Sequence, residues 1–319
     1  MSLTNWLTKM SDKHIPVLLK EVIDGLNINP NGVYIDLTLG RGGHSEAILN
    51  KLSNQGLLIG VDQDETAIQE SEERLSKFSD KNFKIIRDNF VNIEEILHHL
   101  EITKVDGILM DLGVSSPQFD NIERGFTYRY DAPLDMRMDQ RNALTAKEII
   151  NTYSQSELTK IFQDYGEEKF SYQIAKNIIK YRENKTIETT FELVDIIKRS
   201  KPQKELKKVG HPAKQVFQAL RIAVNDELNV LKKTLQKVVK YLNHNGRIAV
   251  ITFHSGEDKI VKQIFKELTV VEGNRFDLPI KVKEPEYRLI NHKVIVASEE
   301  ELINNHRAAS AKLRIMERK

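Results

Sequence analysis

Four short apolar runs, most of them followed by a helical pattern, fill the first third of the chain. They lie at residues 33–39, 57–62, 83–86 and 105–111. Each is rich in Val, Ile and Leu and short enough for a strand buried on both faces. Helical patterns at 65–78 and 92–100 fall between them. Strands that alternate with helices pair in parallel, because the crossover needs the length of a helix. The expected fold class is α/β: a doubly wound, mostly parallel, Rossmann-like sheet.

After Ser115 the alternation stops. Helical periods follow at 145–153, 156–165, 168–184 and 190–200, with no comparable buried strand. About 100 residues is too long for a loop, so this stretch reads as a helical insertion after strand four. A long amphipathic helix over 213–242 then leads to a fifth buried run at 247–253, with Gly246 as the expected helix stop. A helix at 257–268 and a late strand at 293–298 complete the pattern. The expected division is a sheet domain of residues 1–117 and 213–319, with a helical substrate-recognition domain at 118–212. Ligands of such sheets bind at the carboxyl ends of the strands. An insertion that leaves this edge is placed to cover the ligand.

Strand one runs into Asp36-Leu37-Thr38-Leu39-Gly40-Arg41-Gly42-Gly43-His44 and then a helix. Gly40, Gly42 and Gly43 allow a sharp turn and close backbone approach to a ligand. Asp62 ends strand two, where an acid can accept from both ribose hydroxyls. NAD and S-adenosylmethionine both use this arrangement. Position 45 is Ser, where a dinucleotide site would have a third glycine. Asp36 suits a cofactor with a cationic amino-acid end. These points favour the methyl donor.

Composition narrows the chemistry. There are no cysteines, which excludes disulfides, cysteine zinc sites and a thiol nucleophile. The net charge is +2, so a basic surface has to be local. The N-terminus lacks a signal-peptide core and no apolar run reaches membrane length, so a soluble, cytoplasmic protein is expected. His98-His99 reads as a solvated helix face, and no metal site is expected.

Further motifs complete a set. They are Asp111-Leu112-Gly113-Val114-Ser115-Ser116-Pro117-Gln118, Arg124-Gly125-Phe126, Pro133-Leu134-Asp135-Met136-Arg137-Met138-Asp139, Tyr165-Gly166-Glu167-Glu168, Phe217-Gln218-Ala219-Leu220-Arg221-Ile222 and Phe253-His254-Ser255 with Glu257-Asp258. With the glycine loop they resemble the ribosomal RNA small subunit methyltransferase H family, from about His14 to Arg318. The resemblance implies methylation of N4 of a cytidine in 16S ribosomal RNA, in the decoding region of the small subunit, with S-adenosylmethionine as cofactor. It implies cofactor contacts at Gly42, Gly43, His44, Asp62, Phe90, Asp111 and Gln118. Gly256 departs from the family's usual leucine.

The proton acceptor stays open among Asp111, a backbone carbonyl near Ser115, and Asp135. Asp135, Arg137 and Asp139 either hold the target base or form a structural ion-pair cluster. His254 either meets substrate or, with Ser255, belongs to a helix cap. Phe126, Tyr128 and Tyr130 either stack on a base or pack the insertion. Lys198, Arg199, Lys201, Lys204, Lys207 and Lys208 form a basic run suited to RNA phosphates, and Lys204, Lys207 and Lys208 are its chosen contacts. Arg307, Lys312, Arg314, Arg318 and Lys319 form a weaker second group. An NAD-linked oxidoreductase and a non-catalytic RNA-binding module remain as alternative functions.

Overall fold

The computed structural model describes residues 15–115, 118–119, 121–270 and 284–319. Ser116 and Pro117 of the expected signature lie outside them. The chain divides into two compact units, Met1–Gly113 with Leu231–Lys319, and Val114–Val230.

The first unit is built on a seven-stranded sheet. Its strands are β1 (Val33–Asp36), β2 (Leu57–Asp62), β3 (Asn82–Arg87), β4 (Val105–Asp111), β5 (Leu242–Thr252), β6 (Tyr287–Leu289) and β7 (Lys312–Arg318), in the order β3-β2-β1-β4-β5-β7-β6. The first five neighbours run parallel. β7 is antiparallel to both β5 and β6. Strand order reverses between β1 and β4, which opens a crevice at their carboxyl ends.

Side chains alternate between two cores, as a period of two requires. Ile35, Ile59, Val61, Ile108, Met110, Ile248 and Val250 enter one core, closed by Leu235 and Phe265 from flanking helices. Tyr34, Leu58, Leu109, Ala249 and Ile251 enter the other, against Val22, Leu26 and Ile48. Burying each such side chain contributes about 1.5–3 kcal/mol. Among the described residues no helix is long and apolar enough to cross a membrane.

Three expectations need correction. Residues 293–298 form no strand; Ile295 makes only an isolated bridge to Leu313. The missing strand is β7, whose charges disguise it. Arg314 pairs with Asp258 (2.8 Å), and Glu317 with Arg247 (2.7 Å), so a charge on each face of the strand is neutralised in place. The helix expected over 213–242 is two helices, Lys214–Asn225 and Glu227–Val238, broken at Asp226 with φ of 49°. Gly246 is not its stop, because it lies inside β5.

The second unit is helical: Ala146–Thr152, Gln155–Asp164, Ser171–Arg182, Thr190–Ser200 and Lys214–Asn225. Ser154 with Glu157 and Thr189 with Glu192 form capping boxes that satisfy the orphan N–H groups at two helix starts. Ile149, Leu158, Phe162, Ile174, Leu193, Ile197, Phe217 and Leu220 make its core. The side chains of Val216, Phe217 and Leu220 place residues 214–225 in this core, so the helical unit runs past the boundary expected at 212.

Lys201 does not belong to the exposed basic run. Its ammonium is buried, 2.6 Å from Glu168, and also donates to the Pro212 carbonyl at 2.7 Å. Glu168→Gln removes the countercharge and leaves a buried ammonium. The expected cost is about 3–5 kcal/mol. Urea unfolding followed by circular dichroism should show a clearly lower midpoint for the variant, and an unaltered midpoint would show that the pair is not structural.

Candidate active site

The glycine loop is held by a carboxylate below it. Asp36 ends β1, and only 1 % of its surface is exposed. Ser45 Oγ donates to one carboxylate oxygen at 2.8 Å, and the Thr38 backbone N–H donates to the other at 3.1 Å. Gly40 and Gly42 then take φ of 52° and 72°, where a side chain is strained. Gly42 precedes the helix Gly43–Leu49. Removal from water raises the Asp36 pKa to about 6 despite its hydrogen bonds from Ser45 and Thr38.

Asp62 ends β2 and faces the same loop. The Gly40 N–H donates to one of its oxygens at 2.8 Å, and the Asp64 N–H to the other at 2.9 Å. Each oxygen keeps a further acceptor site, enough for a pair of hydroxyl donors. Loss of water raises its pKa to about 6, and the nearby charges of Asp64 and Asp36 add to the rise.

Asp111 ends β4, across the crevice from β1. Thr38 Oγ1 accepts its backbone N–H at 2.6 Å, which ties the loop to this strand end. The side chain is 24 % exposed, yet Oδ1 is buried without a hydrogen-bond partner among the described residues. Desolvation, then the charges of Asp36 and Glu257, hold its pKa well above 3.8. His44 is buried beside it, with Nδ1 3.6 Å from Oδ2 and Nε2 3.0 Å from the Val17 carbonyl. Phe90 begins a short 3-10 turn, Phe90–Asn92, and is partly buried against the sheet.

A model of the MraW methylase family matches residues 11–319. The chain belongs to the MraW methylase family. A "Ribosomal RNA small subunit methyltransferase H" from Spiroplasma kunkelii is 55% identical over 97% of this chain and 99% of that protein. Among solved structures, an rRNA methylase from Streptococcus thermophilus is 11% identical, covering 94% of this chain and 93% of its own, with a TM-score of 0.41. That likeness is too distant to bear on function.

Within this family member, the sequence-predicted residues separate into two groups. Asp36, Gly40, Gly42, Gly43, His44, Asp62, Phe90 and Asp111 all belong to the sheet unit, and the loop and strand ends bring the first six together. Ser115, Gln118, Asp135 and Arg137 belong to the helical unit. There the Ser115 N–H donates to Gln118 Oε1 at 3.1 Å, while Ser115 Oγ is buried without a partner among the described residues.

Asp135 is committed to Arg137. The guanidinium donates to both carboxylate oxygens, from Nε at 2.9 Å and Nη2 at 2.7 Å. Its Nη1 holds the Gln140 and Asn142 carbonyls. Although burial opposes it, the Arg137 contacts hold the Asp135 carboxyl below its ordinary value, which makes it a poor proton acceptor. The ion-pair reading therefore fits this segment better than a base-holding one.

His254 caps the helix Ser255–Thr269. Glu257 Oε2 accepts the Phe253 N–H at 2.8 Å, and His254 Nε2 sits 3.2 Å from Glu257 Oε1. Ser255 is the first helical residue rather than the cap. Lys204, Lys207 and Lys208 are exposed, and Lys208 pairs with Glu205 at 2.7 Å. Arg314 and Arg318 are used inside the fold, by Asp258 and by the Leu242 carbonyl at 2.9 Å. Sequence reasoning missed Thr38 and Ser45 as loop anchors. The signal for Ser45 was its place where a dinucleotide loop would carry glycine.

These carboxylates make stability depend on pH. A folded-state pKa near 6 means that the folded protein keeps protons an unfolded Asp releases near 3.8. Their contribution to stability therefore falls as pH rises from about 4 to above 6. Melting temperatures of the ligand-free protein should decline across that window, and less steeply in Asp111→Asn. Identical profiles for the two proteins would contradict the coupling of these strand ends.

Proposed function

We propose that the protein is an S-adenosylmethionine-dependent methyltransferase acting on N4 of a cytidine in 16S ribosomal RNA, within the decoding region of the small subunit. It would work in the cytoplasm. The observation that carries this reading is the convergence of Asp36, Asp62 and Asp111 at the strand ends around a glycine loop. Burial raises the pKa of all three, and the Asp36 charge adds to the rise at Asp62 and at Asp111. A ligand with net positive charge relieves that repulsion, whereas a dinucleotide would add an anionic pyrophosphate to it. The donor set thus favours the methyl donor over NAD.

S-adenosylmethionine supplies a methyl group on a sulfonium centre. Asp62 accepts the ribose hydroxyls on the acceptor sites left by Gly40 and Asp64. Gly40, Gly42 and Gly43 keep the main chain free of side chains beside the ligand. Phe90 offers a ring face to adenine. Asp36 holds the loop through Ser45 and Thr38, rather than touching the ligand. His44 supports Asp111 from behind.

A cytosine amine is a weak nucleophile, so the protein's task is alignment followed by removal of a proton. Asp111 Oδ1, buried and without a partner among the described residues, is the acceptor for that proton. Its raised pKa suits the role. Carbon C5 is excluded on chemical grounds: it requires a cysteine adduct at C6, and the chain has no cysteine. The helical unit supplies RNA contacts through Lys204 and Lys207.

Incubation with small ribosomal subunits and labelled S-adenosylmethionine, followed by nucleoside analysis, tests the reading. N4-methylcytidine is the expected product, and substrate carrying 5-fluorocytidine should not trap the protein. A covalent complex, or a methyl group on C5, would refute the mechanism. Asp62→Ala should weaken S-adenosylmethionine binding on the order of tenfold to a hundredfold, the worth of a charged hydrogen bond. Calorimetry that finds unaltered affinity would remove Asp62 from the site.

A further inference from the structure

The helical unit contains a directed N–H donor set among unneutralised cations. The His211 ring stacks on Tyr128, with centroids 4.2 Å apart and planes 8° from parallel. Phe217 braces Tyr128 edge-on at 5.6 Å. The Ala213 backbone N–H donates to His211 Nδ1 at 3.2 Å. A nitrogen that accepts carries no proton, so the neutral ring bears its proton on Nε2. Nε2 has no hydrogen-bond partner among the described residues.

The surroundings are positive. Arg129 precedes Tyr130 in an exposed turn, and Lys198 lies on the exposed side of the helix Thr190–Ser200. Neither has an acidic partner among the described residues. Lys201 is nearby but already neutralised by Glu168. Burial, followed by the charges of Lys198, Arg129 and Lys201, lowers the His211 pKa from 6.5. A ring N–H near two cations that have no acidic partner among the described residues is a donor set suited to an anion.

Resting on the RNA reading above, we propose that His211 Nε2, Arg129 and Lys198 bind a backbone phosphodiester of the RNA substrate. The stack on Tyr128 fixes the plane of the ring, and the Ala213 N–H fixes its tautomer. A phosphate between these groups offsets the cations that disfavour a charged imidazole. His211 then takes up a proton more readily, and binding tightens as pH falls.

The test is binding of a 16S RNA fragment to the full chain across salt and pH. Arg129→Ala should lower the slope of log affinity against log salt by about 0.7 for a single-stranded contact. It should also weaken binding on the order of tenfold. Unaltered protein should bind more tightly as pH falls from about 7.5 to about 5.5, and His211→Gln should lose that component. S-adenosylmethionine affinity should stay the same in Arg129→Ala, which guards against misfolding. Methyl transfer with wild-type salt slope and pH dependence in both variants would overturn this site alone. Failure of the unaltered protein to bind or methylate ribosomal RNA would overturn the RNA reading and the site together.

Discussion

The sheet unit depends on one buried carboxylate. Asp36 is sealed at the end of β1, and its oxygens are taken by Ser45 and Thr38. A buried acid without partners would cost several kcal/mol, so these hydrogen bonds decide how the chain leaves the strand. They pin the glycine loop at both ends. Thr38 also receives the Asp111 N–H, and Gly40 donates to Asp62. One short segment thereby connects β1, β2 and β4 at the point where strand order reverses. The geometry of the site follows from this connection more than from any single residue facing the ligand.

The helical unit solves a different problem. It has many lysines and arginines but must bury some of them. Lys201 is paid for by Glu168 and a backbone carbonyl. Arg137 is spent on Asp135 and two carbonyls. What remains exposed, including Lys198, Lys204, Lys207 and Arg129, is the part of the charge open to a ligand from solvent. A run of like charges in sequence is therefore two populations in space, one structural and one available. The same division holds in the sheet unit, where Arg314 and Arg318 are fastened inside the fold.

Much of the fold is legible without coordinates where one principle dominates. β1, β2 and β4 are mostly buried, so hydrophobicity alone marks them, and β2 and β4 fall on the expected residues, while β3 is partly exposed. The helical stretch is recognisable because its capping residues and apolar period agree. β7 is hidden because both its faces carry charge, Arg314 on one and Glu317 on the other, which pair with Asp258 and Arg247 and cannot be matched from a linear pattern. The helix break at Asp226 is hidden for a related reason. Helical periodicity continues on both sides, while a single left-handed residue turns the chain.

For the site, the sequence by itself determined the residue types and their order: a glycine loop, an acid at the end of strand two, another at the end of strand four, and no cysteine. Local spacing carries that information, because a loop must follow a strand and an acid must sit at its end. Only the tertiary structure decided what each acid is free to do. Asp36 and Asp135 have the same side chain as Asp62 and Asp111, but their oxygens are occupied by Ser45, Thr38 and Arg137. Asp62 keeps acceptor capacity and Asp111 keeps a buried oxygen without a partner among the described residues. Availability of a lone pair depends on neighbours distant in the chain, and only folding brings those neighbours into place.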